Sequence, residues 1–361
     1  MFLVTGAAMS SWAPLVPFAK MRVGLDDSSL GLVLLCFGCG SLITMPLAGR
    51  VVASHGGRLV ILSSATLALA MLPMLALASN TLMLASALLL FGAGLGALDV
   101  SMNLQAIVVE RDAGHSMMSG FHALFSLGGI VGALSMSTML SLGLPPVAAT
   151  LAISAALACA CMASAPQLLS NRSSEPGPMF GIPRGIVLLI GALCCACFLI
   201  EGAVLDWSAI FLSSTRGLDV ARTGLGYAAF SVAMVIGRLT GDRVVSRFGP
   251  RSTLTSGALC AALGLAVVAL VPDWRVTVIG FMVVGIGCAN IVPILFTAAG
   301  RQTVMPESLA LPAVTTLGYV GLLAGPAGVG LVAGQTSLAL AFTGLAGLML
   351  LSAVLGRRLP A

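Results

Sequence analysis

Charge is what this sequence has least of. Its 12 acidic and 17 basic residues are 8% of 361, where a soluble domain carries about 25%, and hydrophobic residues reach 58%. So few charges cannot cover a 36.3 kDa globule, which excludes a water-soluble fold and turns the outer surface toward lipid. A basic face is missing too: the net charge of +5 comes from arginines scattered singly between apolar runs, so nucleic acid is excluded as a partner. Neither His-Glu-x-x-His nor Gly-x-Ser-x-Gly occurs, and the 3 histidines are dispersed, so no enzyme, metal or cofactor is expected. Cys36-x-x-Cys39 has no accompanying His or second pair. The 9 cysteines all fall in apolar runs and read as small packing residues.

Long apolar runs are what is present. A spanning helix needs about 20 mostly apolar residues, and twelve stretches qualify: 1–19, 29–49, 59–78, 81–108, 117–140, 146–165, 185–212, 223–241, 253–271, 276–299, 308–332 and 337–356. The runs are continuously apolar, which excludes a β-barrel. The fold class expected is an all-α polytopic membrane protein: an N-terminal six-helix bundle (1–165), a polar, Pro-rich linker (166–184) and a C-terminal six-helix bundle (185–361). With both ends on one side, the loops of that side hold 12 of the 17 bases, Arg172 and Arg238 among them. The other side holds 5, including Lys20, Arg22, Arg216 and Arg222. The positive-inside bias makes the first side cytoplasmic. The run starting at Met1 reads as a first span clipped of its tail, since a signal peptide would need a basic start and Pro14 and Pro17 occupy the would-be cleavage region.

The halves repeat. Ala48–Arg58 (AGRVVASHGGR) meets Gly241–Arg251 (GDRVVSRFGPR) at a separation of 193. Gly94–Gly96 meets Gly285–Gly287 at 191, placing Asp99 opposite Asn290, and Trp12 meets Trp207 at 195, placing Gly6 opposite Glu201. Three matches in one order argue for duplication, and duplicated halves hold a ligand near the midplane between them.

Twelve spans in two halves, a central loop, and Gly49–Arg58 between spans two and three resemble the major facilitator superfamily. Gly49, Gly56 and Arg58 match its loop signature, while Ala53 and Ser54 replace its acid and arginine. Asp99-Val-Ser-Met-Asn103, Val109-Glu110-Arg111, His122, Ser126-Leu-Gly-Gly129, Glu201-Gly, Asp206-Trp207 and Gly237-Arg-Leu-Thr-Gly-Asp242 resemble a bacterial inner-membrane branch near the fucose-type sugar permeases. The resemblance implies a central cavity lined by spans one, four, seven and ten. It also implies gating loops at Gly49, Gly56 and Arg58 and at Asp242, Arg243 and Arg251. Gly321-Leu-Leu-Ala-Gly325-Pro326 resembles part of the antiporter motif but lies in span eleven; span five, where that motif belongs, has no proline over Ser126–Leu140, so antiport is not implied.

An intramembrane carboxylate costs about 2.5–3.5 kcal/mol on insertion scales, so each needs a reason. Asp99 lies about 14 Å from the end of span four, near mid-membrane; Glu201 lies just beyond the centre of span seven and Asp206 near its outer end. With Arg238 counted among the loop bases, no Lys or Arg sits deep in a span, so a proton, a sodium ion or a cationic solute is left to supply the missing charge, and anion exchange is disfavoured. Asn103, one turn from Asp99, shares its face, so a solute hydroxyl could bridge the two. Asn290 adds an amide, with Pro293 nearby to unwind span ten. His122 is a candidate partner of Asp99 or proton relay, with a packing histidine as the alternative. Trp12 and Trp207 read as interfacial belt residues or as stacking platforms for a sugar. Gln105 is turned about 120° from Asn103, toward a neighbouring helix. Glu110, Arg111, Asp112 and His115 read as a solvated loop cluster, and Gly92-x-Gly94-x-Gly96 as a close-packing helix surface.

The function expected is secondary transport of a small solute by alternating access in the bacterial inner membrane. Coupling to H⁺ through Asp99, Glu201, Asp206 or His122 is expected, with a sugar or polyol favoured as solute. Substrate contacts fall to Asp99, Asn103, Asn290, Trp207 and Trp12, and the protein is expected to act as a monomer. Efflux of hydrophobic or cationic compounds, and a membrane sensor or scaffold without flux, are the alternatives.

Overall fold

A computed structural model describes residues 1–25, 27–170, 182–218 and 225–359. Arg172, Arg222 and residues 171–181 of the expected linker lie outside the described residues. The helices are α1 (Phe2–Ser10), α2 (Val16–Val23), α3 (Asp27–His55), α4 (Gly57–Leu77), α5 (Thr81–Ala113), α6 (Met118–Ser141) and α7 (Pro146–Ser164). There follow α8 (Ile186–Ile210), α9 (Leu225–Phe248), α10 (Pro250–Leu270), α11 (Trp274–Cys288), α12 (Ile291–Arg301), α13 (Glu307–Gln335) and α14 (Leu338–Gly356).

Among the described residues 10 helical stretches are long and apolar enough to cross a membrane. The other two spans read from the sequence are α1–α2 and α9. The first is broken by a 3₁₀ turn at Ala13–Leu15, where Pro14 cannot continue a helix. The other carries Arg238, Asp242, Arg243 and Arg247, which lower its hydropathy. Span ten is also interrupted, α11 giving way to α12 at Ala289–Asn290, one turn before Pro293.

The helices fall into two compact units. One contains Met1–Val109, Leu124–Gly181 and Pro306–Pro312; the other contains Glu110–Ala123, Ile182–Met305 and Ala313–Ala361. In lipid no hydrophobic force drives helices together, so close backbone approach across small residues must do it. In the first unit a Cβ on Gly92 would collide with the Phe37 carbonyl, and one on Gly94 would come within 2.9 Å of the Ala68 nitrogen. Ser41 Oγ and Thr44 Oγ1 donate to the Gly92 and Ala93 carbonyls, each at 2.9 Å, so α3 is tied to α5. In the second unit Gly285 meets the Phe230 carbonyl and Gly287 the Ala261 nitrogen. Both contacts repeat at a separation of 193. Gly128 on Leu3 in the first unit and Gly321 on Cys195 in the second make α8 the counterpart of α1, with Leu3 and Cys195 192 residues apart.

These contacts correct the repeat as read from the sequence. The separations of 191 and 195 give way to 193 and 192, because in a Gly-rich run a Gly-x-Gly match slips by two without penalty, whereas a backbone contact cannot. Asp99 is therefore equivalent to Val292, not to Asn290, and Glu201 to Met9, not to Gly6; Trp12 and Trp207 are not counterparts.

Both gating loops turn at the same place. Gly56 (φ 91°) caps α4 and Gly249 (φ 81°) caps α10, 193 residues apart, in a region that side chains avoid. At the opposite ends of those helices, Arg22 Nε and Nη2 donate to the carbonyls of Ala78 and Leu75, both at 2.7 Å. Arg216 Nη2 does the same for Val268 and Ala269 at 2.7 and 3.0 Å. Carbonyls left over at a helix C-terminus are satisfied by a cation that also suits the dipole.

Candidate functional site

Asp99 sits in α5 within the first unit. Asn103 Nδ2, one turn on, donates to the Asp99 carbonyl at 2.9 Å and to its Oδ1 at 3.2 Å. The two groups therefore bond directly and share one face of α5, as their spacing predicts. Asn103 is fully buried and its Oδ1 has no hydrogen-bond partner among the described residues, while Asp99 is half-buried. Thr5 Oγ1 donates to Met102 Sδ at 3.3 Å, setting α1 beside this stretch. Among the described residues no basic group pairs with Asp99.

Glu201 is different, and here the sequence reading is overturned. Arg238 lies inside α9, 6% exposed, with Nη2 at 3.7 Å from Glu201 Oε1. A base does lie deep in a span: counting Arg238 with a loop missed it, because α9 runs on through Asp242 and Arg243 to Phe248 and so places Arg238 in its interior. Arg238 Nε also donates at 3.3 Å to the carbonyl of Ala289, at the break between α11 and α12. Asn290 Nδ2 returns a bond of 3.1 Å to Gly237, and its side chain lies where a Cβ of Gly241 would be. The run Gly237-Arg-Leu-Thr-Gly-Asp242 thus has separable jobs. Its glycines admit the broken helix, and its arginine ties that break to the acid of α8. Cys197 Sγ lies 3.8 Å from Glu201 Oε1, a weak thiol contact.

Asp242 ends that run by accepting from the backbone nitrogens of Ser119 and Gly120, at 3.0 and 2.8 Å, in the first turn of α6. A carboxylate at a helix N-terminus satisfies orphan donors and suits the dipole. Glu110 acts beside it. It is 3% exposed, not solvated as expected, and takes the nitrogens of Met117 and Met118, both at 2.9 Å. It also accepts from Thr297 Oγ1 at 2.8 Å and lies 3.8 Å from Arg301. Arg111, Asp112 and His115 are exposed as expected, Arg111 reaching the Gly300 carbonyl. Glu110, Asp242, Arg251, Thr297 and Arg301 border a cavity of about 190 Å³ in the second unit, and Arg251 Nε donates to the carbonyl of Leu359.

The remaining candidates are divided between the two units. His122 belongs to the second unit, buried edge-on against Phe296 at 5.6 Å, whereas Asp99 belongs to the first. Trp12 is buried at the break after α1, Trp207 is half-buried against Gly330, and Asp206 is exposed. Gly49 packs on the Ser308 carbonyl, the nitrogen of Arg58 donates to Leu169 at 3.0 Å, and Arg243 is exposed. Gln105 lies beside Gly57 of α4 and bonds that same Leu169 carbonyl, beyond the end of α7, at 2.7 Å. Among the described residues no group of His, Cys, Asp and Glu could hold a metal ion.

Comparison with known proteins agrees with this architecture. The model of the Major Facilitator Superfamily matches residues 1–308. The chain is 49% identical over 359 residues to an uncharacterised MFS-type transporter of Yersinia pestis, covering 99% of this chain and 93% of that one. Its fold superposes on the E. coli fucose:proton symporter with a TM-score of 0.79 at 17% identity, covering 100% of this chain and 97% of that one. The human organic anion transporter matches with a TM-score of 0.77 at 17% identity, over 98% and 96% of the two chains. Two neighbours with such different solutes share the fold, so the fold does not select the cargo.

Proposed function

The chain belongs to the Major Facilitator Superfamily, and we propose that it is a secondary transporter that moves a small polar solute, of the sugar or polyol class, together with a proton. The halves 1–165 and 185–361, joined by 166–184, alternate access around a midplane site in the bacterial inner membrane, with both termini cytoplasmic. The observation that carries this reading is Asp99, an acid within a span whose bond is to Asn103 and which has no basic partner among the described residues. A carboxylate within a span and without a basic partner is costly, so a cation must neutralise it during part of the cycle, and a proton is the simplest. Asp99 and Asn103 serve the solute, as do Asn290, Trp12 and Trp207. Glu201 is a second proton carrier, while Asp206 and His122 assist as relays. Gly49, Gly56, Arg58, Asp242, Arg243 and Arg251 serve the gates, and Glu110 joins them.

The test is counterflow and pH-driven uptake in proteoliposomes. Wild-type uptake follows an inward proton gradient; Asp99→Asn keeps counterflow but no longer responds to the gradient. Uptake by Asp99→Asn that still follows the gradient ends the assignment of Asp99. The same observation favours a second reading, efflux of a cationic compound, in which the solute's own charge meets Asp99. In that case Asp99→Asn abolishes binding and counterflow together.

A further inference from the structure

We propose that the cavity of the second unit where α10 begins and α12 ends is a binding site for a phosphate group, held between Arg251 and Arg301. The inference goes beyond the transporter reading and rests on it only for turning this end of the unit toward the cytoplasm. Four charged side chains border the cavity of about 190 Å³: Glu110, Asp242, Arg251 and Arg301. The two acids are already satisfied. Glu110 Oε2 takes the nitrogens of Met117 and Met118, both at 2.9 Å, and its Oε1 takes the Thr297 hydroxyl at 2.8 Å. Asp242 gives one oxygen to the nitrogen of Ser119 and the other to that of Gly120. The positive end of α6 thus answers both carboxylates. The arginines are not answered in the same way. Arg251 is exposed and donates through Nε to the Leu359 carbonyl, which leaves both its Nη groups without a partner among the described residues. Arg301 is exposed too; at 3.8 Å from Glu110 it forms an ion pair but not a hydrogen bond, and it makes no hydrogen bond among the described residues.

Hydrogen-bond chemistry then selects the ligand. The cavity is left with an excess of charged N–H donors while its carboxylate acceptors are filled, so its occupant is an anion rich in acceptors. The two guanidinium groups come from different helices, and each presents a planar fork. A carboxylate has two oxygens and suits one fork, whereas a tetrahedral phosphate has oxygens for both. Glu110 keeps the nitrogens of Met117 and Met118 and the Thr297 hydroxyl when Arg301 turns to the phosphate, so binding leaves the cap on α6 intact. Arg251 opens α10, Arg301 closes α12 and Leu359 follows α14, so the cavity lies at the ends of these helices. Lipid headgroups lie at that level, and arginines beside a span attract the anionic ones. A phosphate bound there joins α10 to α12 next to the caps made by Asp242 and Glu110, and so stabilises this end of the unit. A phospholipid headgroup and a free phosphate offer the same chemistry.

The test uses the purified full chain in a neutral maltoside detergent and follows its melting temperature as phosphatidylglycerol or inorganic phosphate is added. Diacylglycerol and sodium chloride at equal ionic strength are the controls. Wild-type protein shows a saturable rise with a phosphate-bearing probe and none with the controls. A rise with phosphatidylglycerol alone assigns the site to a lipid headgroup, and a rise with inorganic phosphate assigns it to a free phosphate. Arg251→Gln and Arg301→Gln each weaken binding about tenfold, and the two together abolish it. Arg251→Lys/Arg301→Lys keeps the charge but not the forks and lies in between. Arg357→Gln/Arg358→Gln removes two exposed arginines that do not border the cavity, and it keeps the rise. The inference is overturned if neither probe gives a saturable rise or if Arg251→Gln/Arg301→Gln keeps it. It is also overturned if Arg357→Gln/Arg358→Gln loses the rise equally, since the attraction is then diffuse. Should Arg251→Gln/Arg301→Gln fail to fold, the lysine pair decides, and binding as tight as wild type overturns the inference. Phosphate binding without flux of any solute in liposomes refutes the transporter reading alone. Proton-driven uptake without any response to phosphate refutes this inference alone.

Discussion

Helices α3 to α5 of the first unit and α9 to α12 of the second are one frame used twice, and they differ where charge is concerned. Both begin their third span at a glycine with positive φ, both end it under an arginine, and both pack a Gly-x-Gly against the same backbone atoms. The polar pairs are not shared. Glu201 and Arg238 occupy positions that are Met9 and Met45 in the first half, and Asp99 and Asn103 occupy positions that are Val292 and Phe296 in the second. Duplication kept what builds the helices and diverged at the polar residues inside them. The first half keeps an acid bonded to an amide, and the second an acid paired with a base.

The largest effect should come from unbalancing the second pair. Arg238→Met leaves Glu201 without its cation and is expected to cost about 3–5 kcal/mol. Glu201→Met/Arg238→Met copies the first half's own solution and should recover most of the thermal stability lost. A double variant no better than Arg238→Met would mean that Arg238 stabilises through the Ala289 carbonyl and that the two halves do not differ in charge balance.

The shared frame should respond alike in both halves. Gly92→Ala and Gly285→Ala each push a methyl into a backbone carbonyl, for about 1–3 kcal/mol apiece. Gly344→Ala and Gly347→Ala, with open space beside them, should be neutral or stabilising in the same melting assay. Unequal losses at Gly92 and Gly285 would show that the glycine register is not shared. Gly56→Ala and Gly249→Ala come next, at about 1–3 kcal/mol each from the disallowed φ.

The frame was legible in the sequence because it rests on long apolar runs, glycine placement and loop bases, which are local signals. Twelve spans, the interrupted tenth span and the close-packing role of Gly92, Gly94 and Gly96 follow from them. Arg238 was not legible in the same way. Its burial depends on Glu201, 37 residues away, and on an unwound turn at Ala289, and nothing in the sequence near it distinguishes it from Arg243. Glu110 was misread for a related reason: in a run of Glu, Arg and Asp it looks solvated, and only the fold brings it the nitrogens of Met117 and Met118 and the hydroxyl of Thr297. Polar residues that satisfy partners distant in sequence leave no periodic trace.

The smallest effect tests the part of the repeat that no motif announced. Arg22 and Arg216 stand 194 residues apart and bond the last carbonyls of α4 and α10. Each should contribute about 0.3–1 kcal/mol through the helix C-terminus. Arg22→Lys and Arg216→Lys retain the charge but not the planar guanidinium that is oriented on these carbonyls, so each should lie between wild type and the alanine variant. Arg216 also bonds Thr277 Oγ1 at 3.2 Å and lies over the Phe211 ring at 4.7 Å, contacts that have no counterpart at Arg22 among the described residues. Arg216→Ala should therefore lower the melting temperature more than Arg22→Ala. Equal shifts would assign the whole effect to the shared carbonyl caps, and a larger shift at Arg22 would contradict the equivalence of the two arginines.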